Sequence, residues 1–274
     1  MSNEITPYID TAQVALYMFF IFFAGLIVWL RSEDRREGYP LESETRAVVF
    51  PQNGLQIPRP KEFLLPHGEG VRAAPNFERD RREIRAERVS PAPGSPLEPT
   101  GDALLSEVGP ASYVERSHHP ELSQLDGTPV VIPMRVAAGF SVNAGPDPRG
   151  WRVLGADGAV AGVISDIWVD RADLMVRYLE VQLPAVATAA GPAEGEGEVA
   201  AVAAPALRLI PIVMLGLDAR AKAVRVHALR ADQFAHVPTL ANPEQITVDE
   251  EERVSAFYAG GWFYAEPRRR ESMV

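Results

Sequence analysis

The chain has no cysteine. Disulfides, thiolate nucleophiles and Cys-ligated metal or iron–sulfur sites are therefore excluded. Lysine is nearly missing too: Lys61 and Lys222 are the only two in 274 residues, and the rest of the positive charge is arginine. Arginine suits fixed, bidentate contacts to carboxylates and phosphates. A formal charge of −10 argues against a nucleic-acid surface. GxSxG, HExxH, P-loop and GxGxxG arrangements do not occur. Histidine is sparse, at His67, His118, His119, His227 and His236. Adjacent side chains project differently, so His118-His119 makes a poor metal pair from one element. His227 and His236 read as structural. Only one apolar run is long enough to cross a bilayer.

That run is Ala12 to Leu30, nineteen residues without charge. As a helix it measures about 28 Å, close to the hydrocarbon thickness of a membrane. It is apolar all round, unlike a core helix with one buried stripe. A signal peptide is the other alternative. The residues before the run hold Glu4 and Asp10 and no Lys or Arg, and no small-residue cleavage site follows Leu30. Arg31, Arg35 and Arg36 come next, which orients the N-terminus outside and the rest of the chain in the cytoplasm. Trp29, Arg31, Arg35, Arg36 and Tyr39 form the expected membrane-interface set. Gly38 and Pro40 are expected to stop the charged helical continuation.

Texture divides the chain into 1–11 before the span, 12–30 the span, 31–115 extended, 116–248 globular, and 249–274 a helix and tail. Residues 51–110 hold ten prolines and no sustained period. Such a stretch is either disordered linker or irregular chain laid over a partner. Phe63-Leu64-Leu65 and Leu104-Leu105 favour docking on a partner, whereas Glu78 to Arg88 reads as a solvated mixed-charge face. From about Val130, short β-rich runs follow one another. Asp157-Gly158 signals a hairpin, and residues 145–150 a loop. Tyr178, Glu180 and Gln182 alternate with Leu179, Val181 and Leu183, which predicts one wet face. The fold expected is mainly β: one N-terminal transmembrane helix, a small antiparallel barrel, an extended proline-rich segment and a short C-terminal helix. Residues 184–206, rich in Ala, Gly and Glu, read as a mobile hairpin extension. Thr247 is expected to cap the last helix, and Gly260 or Gly261 to end it.

One constellation carries chemistry: Asp166, Asp170, Asp173 and Arg177, around a short connection between two apolar runs. Clustered acids and a guanidinium perturb one another's titration, which suits a proton relay. The plain alternative is that Asp is a favoured turn residue and Arg177 pairs with it.

Taken in order, several segments resemble the H subunit of the photosynthetic reaction centre of purple bacteria. They are Arg35-Arg-Glu-Gly-Tyr-Pro-Leu41 after the anchor, Phe63-Leu-Leu-Pro-His-Gly68, Pro99-Thr-Gly-Asp102 and Val108-Gly-Pro-Ala-Ser-Tyr113. Asp147-Pro-Arg-Gly150, Asp166-Ile-Trp-Val-Asp170, Glu250-Glu-Glu-Arg-Val-Ser-Ala256 and Tyr258-Ala-Gly-Gly261 complete the series. Any one is weak, but the ordered series over nearly the whole chain is specific.

The resemblance implies a non-enzymatic, non-pigmented subunit with a PRC-barrel. It would cap the cytoplasmic side of the L and M subunits in the bacterial inner (intracytoplasmic, or chromatophore) membrane. Bacteriochlorophylls, bacteriopheophytins, quinones and non-haem iron would belong to the partners, and none to this chain. A cytochrome subunit and a light-harvesting antenna are further candidates for the same complex. Asp170, Asp173 and Arg177 would lie on the proton route to the secondary quinone. Many members carry Glu where Asp173 stands. Some have two histidines after an Asp-Gly at the proton entry; here Asp126-Gly127 is followed by Thr128-Pro129, so Asp126, or His118 and His119, would substitute. The rival readings are a membrane-tethered PRC-barrel adaptor for another cytoplasmic protein and a membrane-anchored enzyme.

Overall fold

The computed structural model describes residues 4–6, 9–39, 41, 57–68, 70–78, 82–92, 94–184 and 206–269. Pro40, nearly all of the 184–206 extension and the end of the tail lie outside the described residues. Two compact units result: Met1–Arg82 with Pro91–Ser95, and Glu83–Ser90 with Pro96–Val274.

In the first unit a short antiparallel pair, β1 (Glu4–Thr6) and β2 (Ile9–Asp10), leads into helix α1 (Thr11–Glu33). Asp10 caps it by accepting a hydrogen bond from Gln13 N at 2.7 Å, which satisfies one orphan donor of the first turn. The helix is long and apolar enough to cross a membrane, and none of its residues is buried within the chain. A tight turn, Asp34–Arg36, continues it before Gly38 takes a left-handed conformation at φ 71°. The charged exit folds onto its own unit. Arg36 Nε lies 2.7 Å from Glu33, and its Nη1 donates to the carbonyls of Arg59 at 2.8 Å and Ala74 at 2.9 Å. Lys61 reaches the same Glu33 carboxylate at 2.7 Å.

The proline-rich stretch holds two small hairpins that its aperiodic sequence does not announce. β3 (Lys61–Leu64) pairs with β4 (Val71–Ala74), and in the second unit β5 (Ala86–Arg88) pairs with β6 (Leu97–Pro99). Three or four residues per strand are too few for a period to register. Leu64 is 82% exposed. Leu104 differs: it is 3% exposed and sits in this chain's own core, so it needs no partner to explain it.

The second unit is built on one seven-stranded sheet. Its members are β7 (Val131–Pro133), β8 (Arg152–Leu154), β9 (Val160–Asp170), β10 (Met175–Gln182), β11 (Leu207–Pro211), β12 (Leu215–Asp218) and β13 (Ala223–Val226). The order is β11-β10-β9-β8-β13-β12, with β7 also on β9. Gly158, at φ 74°, makes the tight turn from β8 to β9 that the Asp-Gly pair announces. All pairings are antiparallel except β8 with β13, which run parallel. These two strands are far apart in sequence, so no short turn dictates their direction. Trp168, Phe234, Ile164, Leu179 and Leu209 are fully buried in the core between the sheet and its cover.

Two expectations are corrected. The predicted wet face of β10 is wet only at Gln182; Tyr178 and Glu180 are buried. Helix α2 (Val248–Tyr264) and Arg135 supply partners over that face. The second correction concerns α2 itself. Thr247 caps it as predicted, accepting from Glu250 N at 3.1 Å, while the Glu250 carboxylate accepts from Thr247 N at 2.8 Å. But Gly260 and Gly261 lie inside the helix and do not end it. They are contact glycines. A methyl on Gly260 would fall 2.5 Å from Ala111 Cβ, and one on Gly261 would meet the Ala228 carbonyl oxygen.

Gly261→Ala is therefore expected to lower stability by about 1–3 kcal/mol through overpacking against backbone, despite alanine's better helix propensity. Thermal denaturation of the detergent-solubilised protein checks this; a neutral or stabilising effect would mean the helix is free to move away.

Candidate functional site

The β9–β10 hairpin positions the acids. Asp170 is the last residue of β9 and is 4% exposed. One carboxylate oxygen accepts from Ala172 N and Asp173 N, both at 2.9 Å. This is the local reason for Asp here: its short side chain closes the turn by binding backbone two and three residues on. The other oxygen lies 4.0 Å from Arg177 Nε. Arg177 is the extra residue at a register shift, because Val176 pairs with Val169 and Tyr178 with Trp168. Asp173 is exposed in the turn.

Asp166 does not join this group. It pairs across the ladder with Glu180, and both carboxylates share Arg135 Nη1 at 3.1 Å. Glu180 also accepts from Trp168 Nε1 at 3.1 Å and from Ser165 Oγ at 2.7 Å. Arg135 also donates to the Pro243 carbonyl. The four-residue constellation read from the sequence is thus two separate sites on one strand.

A residue not singled out in the sequence completes the first site. Glu251, in the first turn of α2, accepts from the Tyr178 hydroxyl at 3.0 Å. Burial pushes the Glu251 carboxyl above its ordinary value. The Tyr178 hydrogen bond and Arg177 oppose this, while the negative charges of Glu121 and Asp170 add to it. Burial, then the Glu251 charge, pushes the Tyr178 phenol well above its usual range. Asp170, Arg177, Tyr178 and Glu251 therefore form one electrostatic group drawn from two strands and a helix. The signal available in the sequence was Tyr178 within a strand and Glu251 within an acidic helix start; their meeting is a long-range contact that neither predicts.

The other predicted residues lie apart from Asp170's carboxylate. Asp126 is exposed and accepts from Thr128 Oγ1 at 2.7 Å, Thr128 N at 3.1 Å and Arg171 at 3.0 Å. Those Thr128 bonds, then Arg171, hold its carboxyl well below the usual range. His118 and His119 are exposed near the start of α2, with His118 Nδ1 3.7 Å from the buried carboxylate of Asp249. Asp249 also binds Arg253 at 2.7 Å. In the first unit Trp29 and Arg31 are exposed, with Lys61 Nζ 5.8 Å from the centre of the Trp29 ring. Arg35 is 3% exposed and stands over the Tyr39 ring at 5.7 Å.

Two clefts of about 160 and 230 Å³ occur in the second unit, and neither is lined by Asp170, Arg177 or Glu251. Among the described residues no group of three or more His, Asp or Glu side chains could hold a metal ion.

Comparison with known families agrees with this architecture. The family model described as the photosynthetic reaction centre, H-chain N-terminal region, matches residues 3–136, which include α1 and the two small hairpins. The PRC-barrel domain model matches residues 140–233, which include β8 to β13. An apolar anchor helix, an extended hairpin-bearing segment and a PRC-barrel follow one another in a single chain, and that chain belongs to the family of photosynthetic reaction-centre H subunits.

Proposed function

We propose that this subunit is held in the inner membrane by α1, N-terminus periplasmic, and caps the cytoplasmic face of the L and M subunits. There it stabilises the pigment-bearing core and passes protons towards the secondary quinone. The pigments, quinones and iron are the partners'; this chain supplies ionisable groups and surface. Trp29 and Arg31, exposed at the end of α1, would meet lipid headgroups. The exposed β3–β4 hairpin, with Leu64, would lie against the core subunits.

The observation that carries the relay is the Asp170, Arg177, Tyr178 and Glu251 group. A quinone reduced twice takes up two protons in a site shielded from water. Groups that conduct protons there need unequal affinities. Asp170 accepts from two backbone N–H donors and lies 4.0 Å from the Arg177 guanidinium. Glu251 has burial and neighbouring negative charge, which favour its protonated form. Glu251, whose affinity for protons is raised, and the Asp170 carboxylate make the inner part of the proposed route, with Asp173 at the solvent edge.

Replacing Asp170 and Asp173 together with Asn is expected to slow the second, proton-coupled electron transfer to the secondary quinone by about one to two orders of magnitude. The first charge separation should not change. Flash-induced absorbance with a pH dye measures both, and normal proton uptake in the double variant would overturn the relay. Co-purification of bacteriochlorophyll with the chain in mild detergent, read from the absorbance spectrum, tests the assembly itself; a colourless preparation would favour the adaptor reading.

The raised affinity of Glu251 has a stability consequence of definite sign. Between the unfolded and the raised folded value, the folded state binds more protons, so stability falls as pH rises through that window. The contribution is fully present below the unfolded value of about 4.5 and lost above the folded one. Glu251→Gln cannot ionise. Its stability relative to the wild type should therefore improve as pH is raised through the window, in denaturation series on the solubilised complex. A pH-independent difference would mean that Glu251 titrates as an ordinary surface glutamate.

A further inference from the structure

Asp126 occupies the place where the family resemblance puts proton entry, yet its surroundings do not suit a carrier. Its carboxylate is engaged by two bonds from Thr128 and one from Arg171. Arg171 is the residue after Asp170. Its guanidinium also donates to Thr128 Oγ1 and, at 3.3 Å, to the Pro129 carbonyl. Its backbone N–H donates to Val130 O at 3.0 Å, directly beyond the Val131–Asp170 pair of the β7–β9 ladder. Contacts from Asp126, Thr128, Pro129, Val130 and Val131 thus follow one another along the end of β9. They prolong a three-residue strand by side-chain bonds where the backbone ladder stops.

We infer that Asp126 is a positioning residue in this chain: with Thr128 it holds Arg171, and through Arg171 it fixes the turn whose amides bind Asp170. The inference rests on the proposed relay for its functional readout, and on the turn geometry alone for its structural one. The chain of cause is short. Ala172 N and Asp173 N lie one and two residues after Arg171, and both bind the same Asp170 oxygen. Freeing the Arg171 side chain lets the turn open, and Asp170 then loses two of its hydrogen-bond donors. The groups facing Asp126 are Ser123, Thr128 and Arg171, and they keep its carboxyl ionised across the working range. Those facing Asp170 are Arg177 and the turn amides, with Glu251 within electrostatic reach. An acid held ionised does not pick up and release protons at neutral pH, whereas its charge can hold a guanidinium at any of these pH values.

The test compares Asp126→Asn, Arg171→Gln and the double variant in the assembled complex. Amide hydrogen exchange at residues 172–173 and the rate of the second electron transfer are followed across pH. Each single variant is expected to speed exchange at these amides and to slow the transfer about two- to fivefold, the scale of an exposed ion pair. The double variant should be no slower than the slower single, because both remove one clamp. A slowed Asp126→Asn beside a normal Arg171→Gln would make Asp126 a carrier and overturn the inference. Unchanged amide exchange in both singles would overturn it equally. If the Asp170/Asp173 double variant took up protons normally, the relay would fail, and exchange at the turn would still decide the clamp.

Discussion

A buried charge has to be compensated where it lies, and among the described residues the β9–β10 hairpin carries more of them than any other element. Asp166, Asp170 and Glu180 are each buried on it. Leaving one of these carboxylates unpaired would cost several kcal/mol. Each is answered from a different place. Arg135 comes in from beyond β7 to serve Asp166 and Glu180 and also donates to the Pro243 carbonyl. Arg177 and the turn amides serve Asp170. The acids therefore determine which segments lie against the hairpin. The loop before α2 is tied down twice, by Arg135 at Pro243 and by Glu250, which accepts from Ala241 N at 2.7 Å. That places the first turn of α2, and with it Glu251, over Tyr178.

What could be read from residues alone follows the range of the interaction concerned. The Asp157-Gly158 turn and the Thr247 cap are local: a few adjacent atoms decide them, and both stand in the structure as the sequence predicts. The strands of the sheet were legible as β-rich runs because their core-facing residues repeat within one element. The face of β10 was not. Alternation says that Tyr178 and Glu180 share a side, but not that a helix and an arginine far off in sequence come to cover it. Gly260 and Gly261 mislead for the same reason. A glycine near a helix end is most often a cap, and only the approach of Ala111 and the Ala228 carbonyl shows that the missing side chain is the point. Leu104 was read as partner-facing because its own core partners lie in the later β-domain. Asp170 and Arg177 could be paired from the sequence, being seven apart across a turn; Glu251 could not be added to them by any spacing rule.

Glu251 and Asp126 show how far environment outweighs residue type. Both are carboxylates beside the same hairpin, and their affinities for protons move in opposite directions. Glu251 stands in the first turn of a helix, where the macrodipole favours the anion by about 0.3–1 kcal/mol. It also has a hydrogen bond from Tyr178 and the charge of Arg177, both acting the same way. Burial is the larger effect, and Glu121 and Asp170 add to it. Asp126 is exposed, so almost nothing opposes its three donors. An exposed acid with its charge fixed and a half-buried acid whose affinity for protons is raised are different tools. The exposed one suits holding a turn in shape, and the half-buried one is the member the proposed relay calls on. The distinction depends on a single contact of the fold, the first turn of α2 meeting β10 where the Tyr178 hydroxyl donates to Glu251 at 3.0 Å. Without that contact Glu251 would be an ordinary surface glutamate.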